Sequence, residues 1–267
     1  KDMKTKIFLF FSILFLLIRC YKVPITNRNQ IRLMPDIMIT NLALTSYQDF
    51  MSKNKIIPSS DNRSKQLDNV GNRMVAAVNN LFANTKYKDR IKNQKWEYHL
   101  VDNPTVNAWC MPGGKIVFYS GILPYTQDDE GIAVVMGHEM AHAIAKHGNE
   151  RMSQQMAIMM GGVTIDVAMQ QRPEETKEIF KSLYGVSATL GALAYSRKHE
   201  YEADKIGLVI MAKAGYNPEK AIAFWERMSQ KSGGSIPQFL STHPSDENRI
   251  KEMKKFLPTA MKYYKTN

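Results

Sequence analysis

Sulfur chemistry is nearly absent from this sequence. Of 267 residues only Cys20 and Cys110 are cysteine, and they form no CxxC pair, which excludes a thiolate zinc site and a dithiol redox motif. Acidic residues are also scarce, 25 Asp and Glu against 36 Lys and Arg. The resulting formal charge of +11 reads first as a solvated basic surface and next as one suited to an anionic surface such as a phospholipid headgroup layer. Nucleic acid is not an expected partner, because no zinc-finger spacing, RNP motif or aromatic-broken basic stripe is present to read it. No internal repeat or low-complexity tract occurs. What remains, 44% hydrophobic and 23% charged, is the composition of an ordinary folded globule.

The apolar run Ile7–Ile18, broken only by Ser12, spans roughly 18 Å as a helix, short of a hydrocarbon core of about 30 Å. It follows Lys1, Lys4 and Lys6 and precedes Arg19-Cys20. A charged start and a short apolar core describe a secretory signal peptide better than a membrane-spanning anchor. Leu16-Leu17-Ile18-Arg19-Cys20 resembles a bacterial lipobox, with Arg19 standing where a small residue is usual. Residues 1–20 are therefore expected as an export leader, Cys20 as a lipidation site giving a membrane anchor, residues 21–64 as a tether with one short helix near Leu42–Met51, and 65–267 as the folded domain.

Within that domain, Leu67, Val70, Met74, Val78 and Leu81 recur at helical spacing and predict a helix over 66–82. Residues 96–101, 106–110 and 115–120 read as strands around the turns at Asp102–Pro104 and Pro112–Gly114. Beyond residue 128 the pattern is helical. One helix starts at Asp128 or Asp129 and runs to His147-Gly148. A second covers 152–169, a third 174–214 with a break near 195–198, a fourth opens at Asn217-Pro218, and the last starts near Ser245–Glu247. The expected class is α+β: a small sheet followed by a mostly helical body.

In residues 132–145 only His138, Glu139 and His142 are polar. A helix apolar on nearly every face is buried, and burying two imidazoles and a carboxylate without partners costs several kcal/mol. A metal removes that cost. His138 and His142 lie one turn apart on one face, the spacing that two imidazole ligands of a tetrahedral Zn²⁺ require, while Glu139 sits about 100° round the helix, where it can act as a base without ligating. A third ligand is expected on a later helix. Glu200 and Asp204 share a face there, and Glu200 would complete a two-His, one-Glu set. From spacing alone Glu200 reads equally well as an ordinary exposed carboxylate beside Arg197 and Lys198.

His138-Glu139-Met140-Ala141-His142 followed by Glu200-Tyr201-Glu202-Ala203-Asp204 resembles the HExxH…ExxxD pair of the M48 zinc metallopeptidases. The stretches Val23–Thr26, Asn107–Ile116, and Ser241–Pro244 with Arg249 also resemble that family, in its single-domain bacterial periplasmic lipoprotein type. The resemblance implies a zincin-type domain holding one Zn²⁺ through His138, His142 and Glu200, with Asp204 orienting a ligand histidine and Glu139 as general base for a zinc-activated water. It further implies an endopeptidase of the bacterial cell envelope, acting on unfolded, misfolded or surplus exported polypeptides; the alternative is a non-catalytic, chaperone-like zinc lipoprotein. His243 and Arg249 are candidates for oxyanion donors, and His243 alternatively for a fourth ligand that shuts the site. Gly113, Gly114, Lys115, Ile116, Val117 and Phe118 are expected to form an edge strand that binds extended substrate. Glu202 is expected in solvent, His147 and His199 to face away from the ligands, and Cys110 to be a small core residue.

Overall fold

A computed structural model describes residues 20–160, 174–176, 178–179, 196–230, 237–243 and 247–265. The leader therefore lies outside the described residues, except for Cys20, which opens strand β1 (Cys20–Lys22). So do much of the expected helix over 152–169 and most of the expected 174–195 segment.

Strand β1 pairs antiparallel with β2 (Asn29–Ile31). Helix α1 (Asp36–Lys53) follows Pro35, and helix α2 (Asn62–Phe82) is capped by Asp61, whose side chain accepts from the amide of Arg63. Strands β3 (Glu97–Val101), β4 (Ala108–Met111) and β5 (Lys115–Tyr119) form a three-stranded sheet in the order β3-β5-β4. β5 is parallel to β3 and antiparallel to β4. The β4–β5 turn needs its glycines, with φ at +93° for Gly113 and +83° for Gly114, values that side chains rarely tolerate.

This order corrects one expectation. β5 is the central strand, hydrogen-bonded on both sides, and Ile116, Val117 and Phe118 are fully buried. It cannot receive another strand. Its side chains alternate between two cores: Ile116 and Phe118 join the helical body, while Val117 and Tyr119 pack with Ile39, Tyr47 and Phe50 of α1. The outer side of β3 is covered in part by residues 55–57, since Ile57 donates to Leu100 and Asp102 to Lys55. β4 is the edge strand on the opposite side.

After the short α3 (Leu123–Thr126) come α4 (Asp129–Ala145), α5 (His147–Met160), α6 (Arg197–Lys213), α7 (Lys220–Gln230), α8 (Gln238–Thr242) and α9 (Glu247–Met261). α4 starts where expected, with Asp128 accepting from the Gly131 amide, but ends earlier, at Lys146, whose φ of 59° turns the chain sharply. α6 starts at the N-cap Ser196, and α7 starts at Lys220, three residues after Asn217. Residues 21–64, read as a tether with one short helix near Leu42–Met51, carry most of β1, all of β2, and α1, a longer helix that includes that stretch; Val23 is fully buried in the main core. Among the described residues no helix is long and apolar enough to cross a membrane.

Helices α4 and α6 set the site. They cross at Gly137 and Gly207, where a Cβ on Gly207 would stand 3.0 Å from the carbonyl carbon of Gly137. Backbones this close leave no room for a side chain at the crossing. They bring Glu200 and Asp204 beside His138, one residue beyond Gly137.

Candidate metal centre

His138, His142, Glu200 and His243 offer donor atoms that all lie within 4.8 Å of one another, and all four are buried. The Nε2 atoms of His138 and His142 face each other at 3.1 Å, close to the separation of about 3.3 Å that two ligands of a tetrahedral zinc take at bond lengths of about 2.0–2.1 Å. Glu200 lies against both rings, Oε2 at 3.3 Å from His138 Nε2 and Oε1 at 3.4 Å from His142 Nε2. Oε2 of Glu200 and Oε1 of Glu139 are buried without a well-aligned hydrogen bond. Two imidazole lone pairs turned on one point, beside incompletely satisfied carboxylates, fit a cation.

The ligand set is held from behind. Asp204 Oδ1 accepts from Nδ1 of His138 at 3.0 Å, which leaves the Nε2 lone pair facing the centre. Arg249, fully buried, forks onto Asp204 through Nε (2.6 Å) and Nη2 (2.8 Å), reaches Glu200 through Nη1 (3.0 Å), and stacks its guanidinium 3.6 Å over Trp225. Burial by itself would raise the Glu200 carboxyl, but the charges of His243, Arg249 and His138 outweigh it and keep it well below the ordinary value. Burial holds His142 well below its ordinary value, so its ring is neutral.

Glu139 sits on the same helix with a different environment. Burial pushes its carboxyl up to about 7, the range in which a general base works best near neutral pH. Its Oε2 accepts from the backbone amide of Cys110 at 3.1 Å, and its Oε1 lies 3.3 Å from Nε2 of His243. Nδ1 of His243 approaches Nε2 of His138 at 3.2 Å and Oε1 of Glu200 at 3.3 Å. The sequence-predicted residues His138, Glu139, His142, Glu200, Asp204, His243 and Arg249 thus converge. Arg249 spends its donors on Asp204, Glu200 and the His243 carbonyl, an arrangement that positions ligands rather than one aimed at a substrate oxygen.

The segment Gly113–Phe118 does not join them. Lys115 pairs with Glu97, Gly113 approaches Thr40 and Gly114 approaches Trp96, and the strand facing the site is β4. Cys110 is buried as expected, yet its amide rather than its thiol touches the centre.

Two further expectations are corrected, those for His147 and Glu202. His147 is fully buried, with Nδ1 at 2.9 Å from Nδ1 of His142. Glu202 is buried and accepts from Nε2 of His147 at 2.9 Å. His199 stacks on His147 and pairs with Glu150 at 3.1 Å. A two-residue step round α6 places Glu202 about 200° from Glu200, which reads as a solvent face. In the structure the N-terminal residues Thr26 and Arg28 meet that face. The available signal was the otherwise apolar run 132–145, which marks the helix just before His147 as buried on all faces.

The model of the family described as peptidase family M48 matches residues 61–257. The mitochondrial metalloendopeptidase OMA1 of Saccharomyces cerevisiae is 32% identical over 259 residues, covering 91% of this chain and 70% of that protein. That of Schizosaccharomyces pombe is 31% identical over 246 residues, covering 89% and 66%. The beta-barrel assembly-enhancing protease of Yersinia pestis is 24% identical over 203 residues, covering 71% of this chain and 38% of its own length.

Proposed function

The chain belongs to peptidase family M48 and carries its metalloendopeptidase domain, and from that premise we propose that it is a zinc-dependent endopeptidase of extended polypeptides. The observation that carries the reading is the opposed pair of Nε2 atoms, 3.1 Å apart, beside the Glu200 carboxylate. His138, His142 and Glu200 would hold one zinc. When bound, zinc supplies a Lewis acid that polarises the scissile carbonyl and acidifies water. Glu139 takes the proton of the attacking water on a carboxylate oxygen and passes it to the leaving amine, which its raised affinity for a proton favours. Asp204 fixes the tautomer of His138, and Arg249 shares its one positive charge between the buried carboxylates of Asp204 and Glu200.

His243, 3.2 Å from His138 Nε2, acts as a fourth donor that keeps the centre closed until substrate engages. Extended substrate pairs with the edge strand β4, whose Cys110 amide points at Glu139. Such pairing selects unfolded or flexible chains over compact ones. The basic surface and the Leu16–Cys20 lipobox-like stretch support an exported, lipid-anchored envelope enzyme that removes misfolded or surplus proteins; Cys20→Ser should then release it from the membrane fraction. Cleavage of casein by the wild type, by the chelated protein and by Glu139→Gln tests the core of the proposal. Equal cleavage in all three would overturn it.

A further inference from the structure

Behind His142 runs a second line of contacts, opposite the Asp204–Arg249 pair that serves His138. Nδ1 of His142 meets Nδ1 of His147 at 2.9 Å, and Nε2 of His147 meets Oε2 of Glu202 at 2.9 Å. A carboxylate only accepts, so Nε2 of His147 carries the proton and its Nδ1 is a lone pair. Nδ1 of His142 then donates, and its Nε2 is left unprotonated towards the centre. Glu202 is fixed in turn by the hydroxyl of Thr26 and by Arg28 through Nε at 2.8 Å and Nη2 at 2.6 Å. Arg28 also forks onto Glu150 at 2.7 Å. The same hairpin reaches the end of the metal helix, where Gln30 donates to the Ala145 carbonyl at 2.7 Å.

We propose that Thr26 and Arg28 are positioning residues of the metal centre, acting on His142 through Glu202 and His147. Both lie outside residues 61–257, the part that the family model matches, so this segment supplies the outer half of a site whose ligands lie entirely within the matched domain. Hydrogen-bond partners of metal-bound histidines set ring orientation and basicity, and their loss weakens metal binding by roughly 10–100-fold. The two histidines are thus served by unlike devices: a carboxylate directly on His138, and a histidine relaying a carboxylate on His142. The inference rests on the zinc reading above. If Thr26 and Arg28 only fasten the hairpin to the body, changing them alters stability and leaves metal affinity untouched.

The test is zinc affinity of the folded apo-protein, measured by competition with a chromophoric chelator, together with the visible spectrum of the cobalt(II)-substituted protein and the melting temperature of the apo form. Glu202→Gln and Arg28→Met should weaken zinc roughly 10–100-fold and alter the cobalt bands. Thr26→Val, a near-isosteric change, should weaken zinc by a smaller factor. His147→Asn, which keeps an acceptor near the position of Nδ1, should bind zinc more tightly than His147→Leu. Affinity within twofold of wild type in Glu202→Gln and Thr26→Val, or equal affinity in His147→Asn and His147→Leu, overturns the inference. If Arg28→Met does not fold, Thr26→Val and Glu202→Gln decide it. A wild type that binds no zinc would instead refute the metal reading itself.

Discussion

The backbone amide of Cys110 donates to Oε2 of Glu139 at 3.1 Å, tying the edge strand of the sheet to the proposed base. The amide is an outward donor of β4, the kind of group an added strand would use. It also covers one oxygen of Glu139, while the other faces His243 at 3.3 Å. Glu139→Gln keeps an oxygen for the Cys110 amide and removes the proton-accepting charge. The variant should fold, bind zinc as wild type does, and lose roughly 10²–10⁴-fold in turnover. Zinc stoichiometry and casein cleavage measured on one preparation check this.

Metal removal should be felt in stability as well as activity. Without a cation, two imidazole lone pairs and two carboxylates share a buried site. A ligand that binds only the folded state adds about 2.7 kcal/mol at 100 times its Kd. Chelation should therefore lower the melting temperature of wild type by several degrees. Glu200→Ala should show no further drop on chelation. A chelator shift as large in Glu200→Ala as in wild type would remove Glu200 from the ligand set.

The Gly137–Gly207 crossing makes a separate prediction. A methyl group on Gly207 meets the α4 backbone at 3.0–3.1 Å, so the helices must part by a few tenths of an ångström. Overpacking of this kind costs about 1–3 kcal/mol. Because Glu200 and Asp204 ride on α6 while His138 rides on α4, Gly207→Ala should weaken zinc more than an equally destabilising change in the other core, such as Phe50→Leu in α1, where Phe50 packs on Trp109 and Tyr119. Competition titrations on both variants decide it.

Glu97 gives a pH signature away from the metal. Burial pushes its carboxyl up, but hydrogen bonds from Lys115, His99 and Tyr47 prevail and hold it at about 2, against an ordinary 4.5. A depressed folded value contributes stability above the unfolded value and loses it as pH falls from about 4.5 towards 2. The side chain is 42% exposed, so solvent screening limits the contribution to about 1 kcal/mol or less. Glu97→Gln should unfold more easily at pH 7 and converge with wild type near pH 2, as followed by urea denaturation across that range.

The parts of the site that the sequence made legible are those whose signal is local. His138, Glu139 and His142 stand out because every neighbour in 132–145 is apolar. A four-residue helical step puts Glu200 and Asp204 on one face, but only the resemblance to the HExxH…ExxxD pair separates Glu200 from an ordinary exposed carboxylate. Strand existence was legible in the same way, from short β-rich runs between turn residues. Strand order was not. β5 is buried on both faces and sends alternate side chains into two cores, so it has no polar face to mark it as central. Glu202 and His147 were misread for a related reason. Glu202 is covered by Thr26 and Arg28, 176 and 174 residues away, and His147 lies against Glu202 on another helix; no periodicity within α6 reports partners that distant.

The control proposed for His243 can be read from one substitution. Its ring lies 3.2 Å from Nε2 of His138, 3.3 Å from Oε1 of Glu200 and 3.3 Å from Oε1 of Glu139, so it touches two proposed ligands and the base at once. It is buried, and its backbone follows α8, where its amide donates to the Phe239 carbonyl. A donor placed for a developing oxyanion would face the space that a substrate carbonyl enters, and its loss would cost roughly 10²–10³ in turnover. A donor that occupies the open metal position blocks water and substrate, and its loss frees them. The contact with His138 Nε2 and Glu200 favours the second role. His243→Ala should raise turnover on an unfolded substrate at equal zinc occupancy while weakening zinc only modestly, because His138, His142 and Glu200 remain. A steep fall in turnover would assign the imidazole to oxyanion stabilisation. Unchanged turnover would leave His243 with no part in either step.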